Sequence, residues 1–120
     1  MLERQLAMNV QTWNALRQHG VTEQTDLRLD FSYDAPTRAA ADKLVKFLKD
    51  ETDYTVAEPR PAGTGYLVSG TTRETQVSLD ILNQWVDWMH AAGRQSDGCE
   101  FDGWGAQIPD EVAGKVAAKV

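Results

Sequence analysis

What most constrains this chain is the way its hydrophobic period switches from segment to segment. Leu2, Leu6, Val10, Trp13 and Leu16 recur every three or four residues, one face of an α-helix, and His19-Gly20 supplies a stop. Leu27, Leu29, Phe31 and Tyr33 then alternate with Arg28, Asp30 and Ser32, the period of a strand with two unlike faces. Helical spacing returns in Ala40, Ala41, Leu44, Phe47 and Leu48, behind Asp34 as N-cap and Pro36 as an early-helix proline. Residues 54–58 and 65–71 are short strands, and the Pro- and Gly-rich residues 59–63 between them predict a hairpin. Thr71-Thr72-Arg73-Glu74 has the spacing of a capping box. The helix predicted after it carries Val77, Ile81, Trp85, Trp88 and Ala92, widened by Leu82 and Met89, and stops at Ala92-Gly93. Cys99 and Phe101, alternating with Glu100 and Asp102, make the last strand.

The order is therefore α-β-α-β-β-α-β. Without its first helix it is the βαββαβ pattern of a ferredoxin-like sandwich, an α+β fold. Four antiparallel strands are expected in the spatial order fourth, first, third, second, with the two later helices on one face. Residues 1–108 are expected to form one domain, the first helix included. Val112, Val116 and Val120 sit at helical spacing in residues 109–120, an alanine-rich tail expected to be weakly helical or disordered. At 120 residues the chain is long enough for one good core.

Composition narrows the function. A net charge of −6 without clustered bases disfavours direct binding to a phosphate backbone. One cysteine excludes a disulfide framework and a thiolate metal cage, and no metal or cofactor is implied. The start lacks a basic flank followed by an apolar run, and no stretch is apolar enough to span a bilayer. A soluble cytoplasmic protein is the expectation.

On the expected sheet, Leu27, Leu29, Phe31, Tyr33, Cys99 and Phe101 face the helices. Asp26, Arg28, Asp30, Glu100 and Asp102 fall on the opposite face. That face is either a plain solvated surface that guards against sheet stacking or an acidic platform for a basic partner. The apolar stripe of the first helix contributes about 8 to 15 kcal/mol when covered, as an upper bound. Its cover is the open sheet face, the flank of the helix layer or a second copy of the chain. The charged face argues against the first, leaving a monomer or a dimer through this helix.

Candidate catalytic groups are sparse. His19 and His90 lie in different predicted helices with no acid at metal-ligand spacing. Cys99 has acidic neighbours and an inward position, both of which raise a thiol pKa, the opposite of what a nucleophile needs. The loop after the first strand, Tyr33-Asp34-Ala35-Pro36, lacks the Gly/Arg phosphate loop of an acylphosphatase and the CxxC of a metal chaperone. No enzyme is expected. A ligand-sensing domain of the ACT type, with the first helix buried in a dimer, is the alternative to a protein-binding regulator.

The segment Glu100-Phe101-Asp102-Gly103-Trp104-Gly105 is the most individual feature of the chain. Glycines on either side of the indole make it a structural corner at a strand end or a partly exposed aromatic anchor. It resembles the acidic-aromatic-Asp-Gly-Trp-Gly signature of the regulator of ribonuclease activity B family, protein inhibitors of ribonuclease E. Tyr54-Thr55-Val56-Ala57-Glu58-Pro59 is similar to that family's Tyr-Val-acidic-Pro segment, and the order of elements agrees to about Ile108. The resemblance implies a ferredoxin-like, non-enzymatic regulator that binds the endonuclease and damps RNA cleavage, and it conveys no catalytic residues. Well-known members carry a long acidic C-terminal extension; here residues 112–120 hold two lysines and no acid. The partner-binding residues expected are Asp102, Gly103 and Trp104 at the corner, with Asp30 and Glu100 as an acidic rim.

Overall fold

The computed structural model describes residues 2–108. The elements are α1 (Leu2–Gln18), β1 (Asp26–Ala35), α2 (Arg38–Glu51), β2 (Thr55–Val56), β3 (Arg60–Ala62), β4 (Gly65–Thr71), β5 (Thr75–Gln76), α3 (Leu79–Gln95) and β6 (Glu100–Gln107). The fold is α+β, with three helices and an open antiparallel sheet among these residues. β1 lies between β6 and β4, and β2 and β3 both pair with β4 on its far side.

The sheet has six strands where the sequence suggested four. Residues 60–62, expected as connection, form β3, with Pro61 opposite Tyr66. Proline is tolerated there because β3 is an edge and has no outer neighbour needing its N–H. Residues 71–74, expected as a capping box, instead carry the chain from β4 into β5, which pairs Thr75 with Leu27. The N-cap of α3 is Ser78, whose hydroxyl accepts the Ile81 N–H. Likewise α2 is capped by Thr37, not Asp34; its hydroxyl accepts the Ala40 N–H at 3.0 Å. Asp34 remains in β1, opposite Glu100.

Tyr33, Leu27, Leu29, Leu44, Leu48, Leu82, Val86 and Met89 are fully buried between sheet and helices. Tyr33 ties the layers together, its hydroxyl donating to the Met89 carbonyl at 2.7 Å. α3 continues past the expected stop to Gln95. Gly93 is a point of close approach, not a cap: a Cβ there would lie 2.6 Å from the Cys99 carbonyl oxygen and 2.8 Å from the Tyr33 ring. α1 ends as expected, with the Val21 N–H on the Leu16 carbonyl and the Gly20 N–H on that of Arg17.

α1 packs along α3 on the flank of the helix layer, one of the covers its stripe allowed. Its inward residues are Leu2, Leu6, Asn9, Trp13 and Leu16, whereas Val10 is 43% exposed. Asn9, fully buried, takes the place the hydrophobic pattern gave to Val10. The expected C-terminal helix lies outside the described residues.

Candidate functional site: the open sheet face and the bulge in β6

β1 turns Asp26, Arg28, Asp30, Ser32 and Asp34 away from the helices, because odd-numbered residues from Leu27 to Ala35 fill the core. Beside them, β6 contains a bulge. Ser32 pairs with Gly103 and Tyr33 with Phe101, so Asp102 is the extra residue. The parity of β6 reverses across it. Phe101 and Trp104 both face inward, opposite Tyr33 and Phe31, and Ala106 lies opposite Leu29. Gly103, at φ 155°, takes a backbone conformation that residues with a Cβ adopt only under strain.

The Asp-Gly-Trp-Gly segment is thus a mid-strand bulge, not a strand-end corner, and each of its residues has a different task. Trp104 is half-buried. Its indole N–H donates to Asn9 Oδ1 at 2.7 Å, and its ring meets Trp85 edge-on at a centroid distance of 6.1 Å. Asn9 in turn donates to Asn83 Oδ1 on α3 at 3.0 Å, so one buried amide joins α1, α3 and β6. Gln5 donates to the carbonyl oxygens of Phe101 and Asp102 at 3.4 and 3.2 Å, satisfying the backbone that the bulge frees. The Asp102 carboxylate is left on the outer surface, where it accepts from the Ser32 hydroxyl at 3.4 Å.

Asp30, Asp34, Glu100 and Asp102 consequently share the outer face. Asp30 is half-buried and held by two neutral donors on the same oxygen, Thr71 Oγ1 at 2.8 Å and Gln107 Nε2 at 2.9 Å, so its charge is fixed in place without being cancelled. The Asp34 carboxyl is raised above its ordinary value by partial desolvation and then by repulsion from Asp102 and Glu100. Arg28 lies at the far end, 4.0 Å from Glu74. Of the five expected residues, Asp30, Glu100 and Asp102 contribute charge to this face, Gly103 permits the bulge, and Trp104 holds the other side of the strand. Asp34, read as a helix cap, and Asn9, which falls outside the apolar stripe, are the two participants the sequence pattern missed.

Cys99 is buried, its thiol pushed up to about 11 by desolvation and by Asp97. Among the described residues no three His, Cys, Asp or Glu side chains are placed to hold a metal ion, and no helix is long and apolar enough to cross a membrane.

Fold and face together define an α+β domain with helices on one side of its sheet and a pre-organised acidic surface on the other. Over residues 6–106 the sequence matches the family described as regulator of ribonuclease activity B, and the chain belongs to that family. It is thereby one of a family of regulators of ribonuclease activity. No curated protein matches the chain.

Proposed function

We propose that this chain is a non-enzymatic, protein-binding regulator that docks on ribonuclease E and slows its cleavage of RNA. Its pairing order, β6-β1-β4 with β2 beyond, supports reading the βαββαβ core of a single domain as ferredoxin-like. One observation carries the functional reading: the bulge in β6 directs Asp102 outward beside Glu100, Asp34 and Asp30 while it turns Trp104 into the core. Three exposed carboxylates and a fixed fourth form a surface complementary to a basic protein and repulsive to RNA. An inhibitor built this way acts on the enzyme and leaves the substrate alone. The ACT-type alternative loses the feature that motivated it, since the inward face of α1 is covered by α3 and β6 of its own chain. The test is the initial rate of RNA cleavage by purified ribonuclease E as this protein is added at low salt. A dose-dependent fall that saturates near stoichiometry is expected; an unchanged rate at tenfold excess refutes the proposal.

A further inference from the structure

α3 carries more apolar surface than the core uses. Its buried residues are Leu82, Val86, Met89, Ala92 and Gly93, a face rotated away from the stripe that begins at Ile81 and runs through Trp85 to Trp88. Ile81 remains 48% exposed and Trp88 39%. Trp88 stacks on Phe47 of α2 at a centroid distance of 5.9 Å, so its ring is held flat against a neighbour with one face available. Between Ile81 and Trp88 the half-buried Trp85 donates its N–H to the Tyr54 hydroxyl at 3.0 Å. Trp85 and Tyr54 also line a hollow of about 220 Å³, with Leu29, Val77 and Ile81 on its apolar side and the paired Asp53 and Arg73 on its polar side, room for one large apolar side chain.

We infer that this ridge and hollow are a second docking surface, which takes a basic amphipathic helix of a partner protein along the exposed Ile81–Trp88 side of α3. Ile81 and Trp88 are seven residues apart on one helix, about 10 Å, the span over which a bound helix presents side chains i, i+4 and i+7. Tryptophan is among the side chains most often found at the energetic centre of a protein interface, and Trp88 is both exposed and held by the Phe47 ring. The rim sets the sign of the partner. Glu51 on α2 and Asp80 and Asp87 on α3 flank the ridge, and among the described residues none has a basic group within ion-pair distance. Asp50 and Asp53 are already matched by Lys46 and Arg73. A second copy of this chain would bring the same acids against themselves. Residues 109–120 offset Lys115 and Lys119 with Asp110 and Glu111, so the chain's own tail brings no net positive charge. A basic partner segment satisfies both the apolar and the charged requirement.

This surface rests on the regulator reading but is tested apart from ribonuclease. The probe is a fluorescein-labelled 18-residue peptide with Leu at i, i+4 and i+7 and Lys at the remaining exposed positions, followed by fluorescence anisotropy at low salt. Expected are saturable binding to the wild-type chain, at least tenfold weaker binding to Trp88→Ser and to Glu51→Lys/Asp87→Lys, and unchanged binding to Asp30→Asn/Glu100→Gln/Asp102→Asn. Both ridge variants alter exposed positions, and circular dichroism checks that they fold. Absence of binding, equal binding to the ridge variants, or equal binding of a peptide with Glu in place of Lys overturns the inference. So does a concentration-dependent dimer of the free chain that Trp88→Ser abolishes, or a gain in peptide affinity on removing residues 109–120. A chain that binds the peptide yet leaves ribonuclease E untouched refutes the regulator reading and keeps this one; the reverse result does the opposite.

Discussion

Replacing Asn9 with alanine tests the contact that fixes α1 and, through Gln5, the bulge in β6. Asn9 is fully buried, accepts from Trp104 and donates to Asn83, so its loss orphans one donor and one acceptor and leaves a void. Trp104 and Asn83 are only half-buried, which puts each orphan near the lower end of the range, about 1 kcal/mol. The void adds about as much again, since the neighbouring side chains collapse only in part. The expected total is about 2 to 4 kcal/mol, or a fall in Tm of about 8 to 16 °C for a domain of this size. Urea unfolding followed at 222 nm measures it, and a cycle with Trp104→Phe isolates the shared bond. Trp104→Phe alone leaves Asn9 Oδ1 unpaired in the core, so the double variant costs less than the sum of the singles by about 1 kcal/mol. An Asn9→Ala cost below about 0.5 kcal/mol, or strict additivity in the cycle, refutes the docking of α1 described above.

Gly93→Ala forces a Cβ against the Cys99 carbonyl and the Tyr33 ring and is expected to cost about 1 to 3 kcal/mol in the same unfolding assay. Cys99, buried and with its thiol at about 11, is expected to resist Ellman's reagent at pH 8 until denaturant is added. Asp34 titrates above 3.8 in the fold, so the native state holds this proton more tightly than the unfolded chain does. The resulting stability is complete below the ordinary carboxylate value and is lost as pH rises through the raised one. Asp34→Asn is therefore expected to raise the unfolding midpoint at pH 7 and to flatten its dependence on pH in the acid range, measured as Tm against pH.

The alternation from Leu27 to Tyr33 was enough to orient β1, because a period of two admits only one burial choice once four large apolar groups share a side. The bulge broke that logic in β6. Simple alternation from Phe101 puts Gly103 and Gly105 in the core and Trp104 outside, and one extra residue at Asp102 reverses both. The Asp-Gly pair was the available signal, since glycine at positive φ is a common bulge residue. α1 and α3 misled for a related reason. Their apolar residues span more than one helical face, so the pattern fixes a helix but not its rotation. Tertiary contacts chose Asn9 over Val10 in α1, and Val86 over Ile81 and Trp88 in α3. The local caps were similarly ambiguous: Asp34 and Thr71 have capping chemistry, but pairing of Asp34 with β6 and of Thr71 with β1 claims them for strands first.

In the proposed function the chain touches ribonuclease E directly through the acidic face of its sheet. Isothermal titration of ribonuclease E with the wild-type chain and with Asp30→Asn/Glu100→Gln/Asp102→Asn measures that contact. The wild type is expected to bind with an affinity that falls as salt rises, and the triple variant, equally stable, to bind about tenfold more weakly. Equal affinity of the two chains, insensitive to salt, contradicts it.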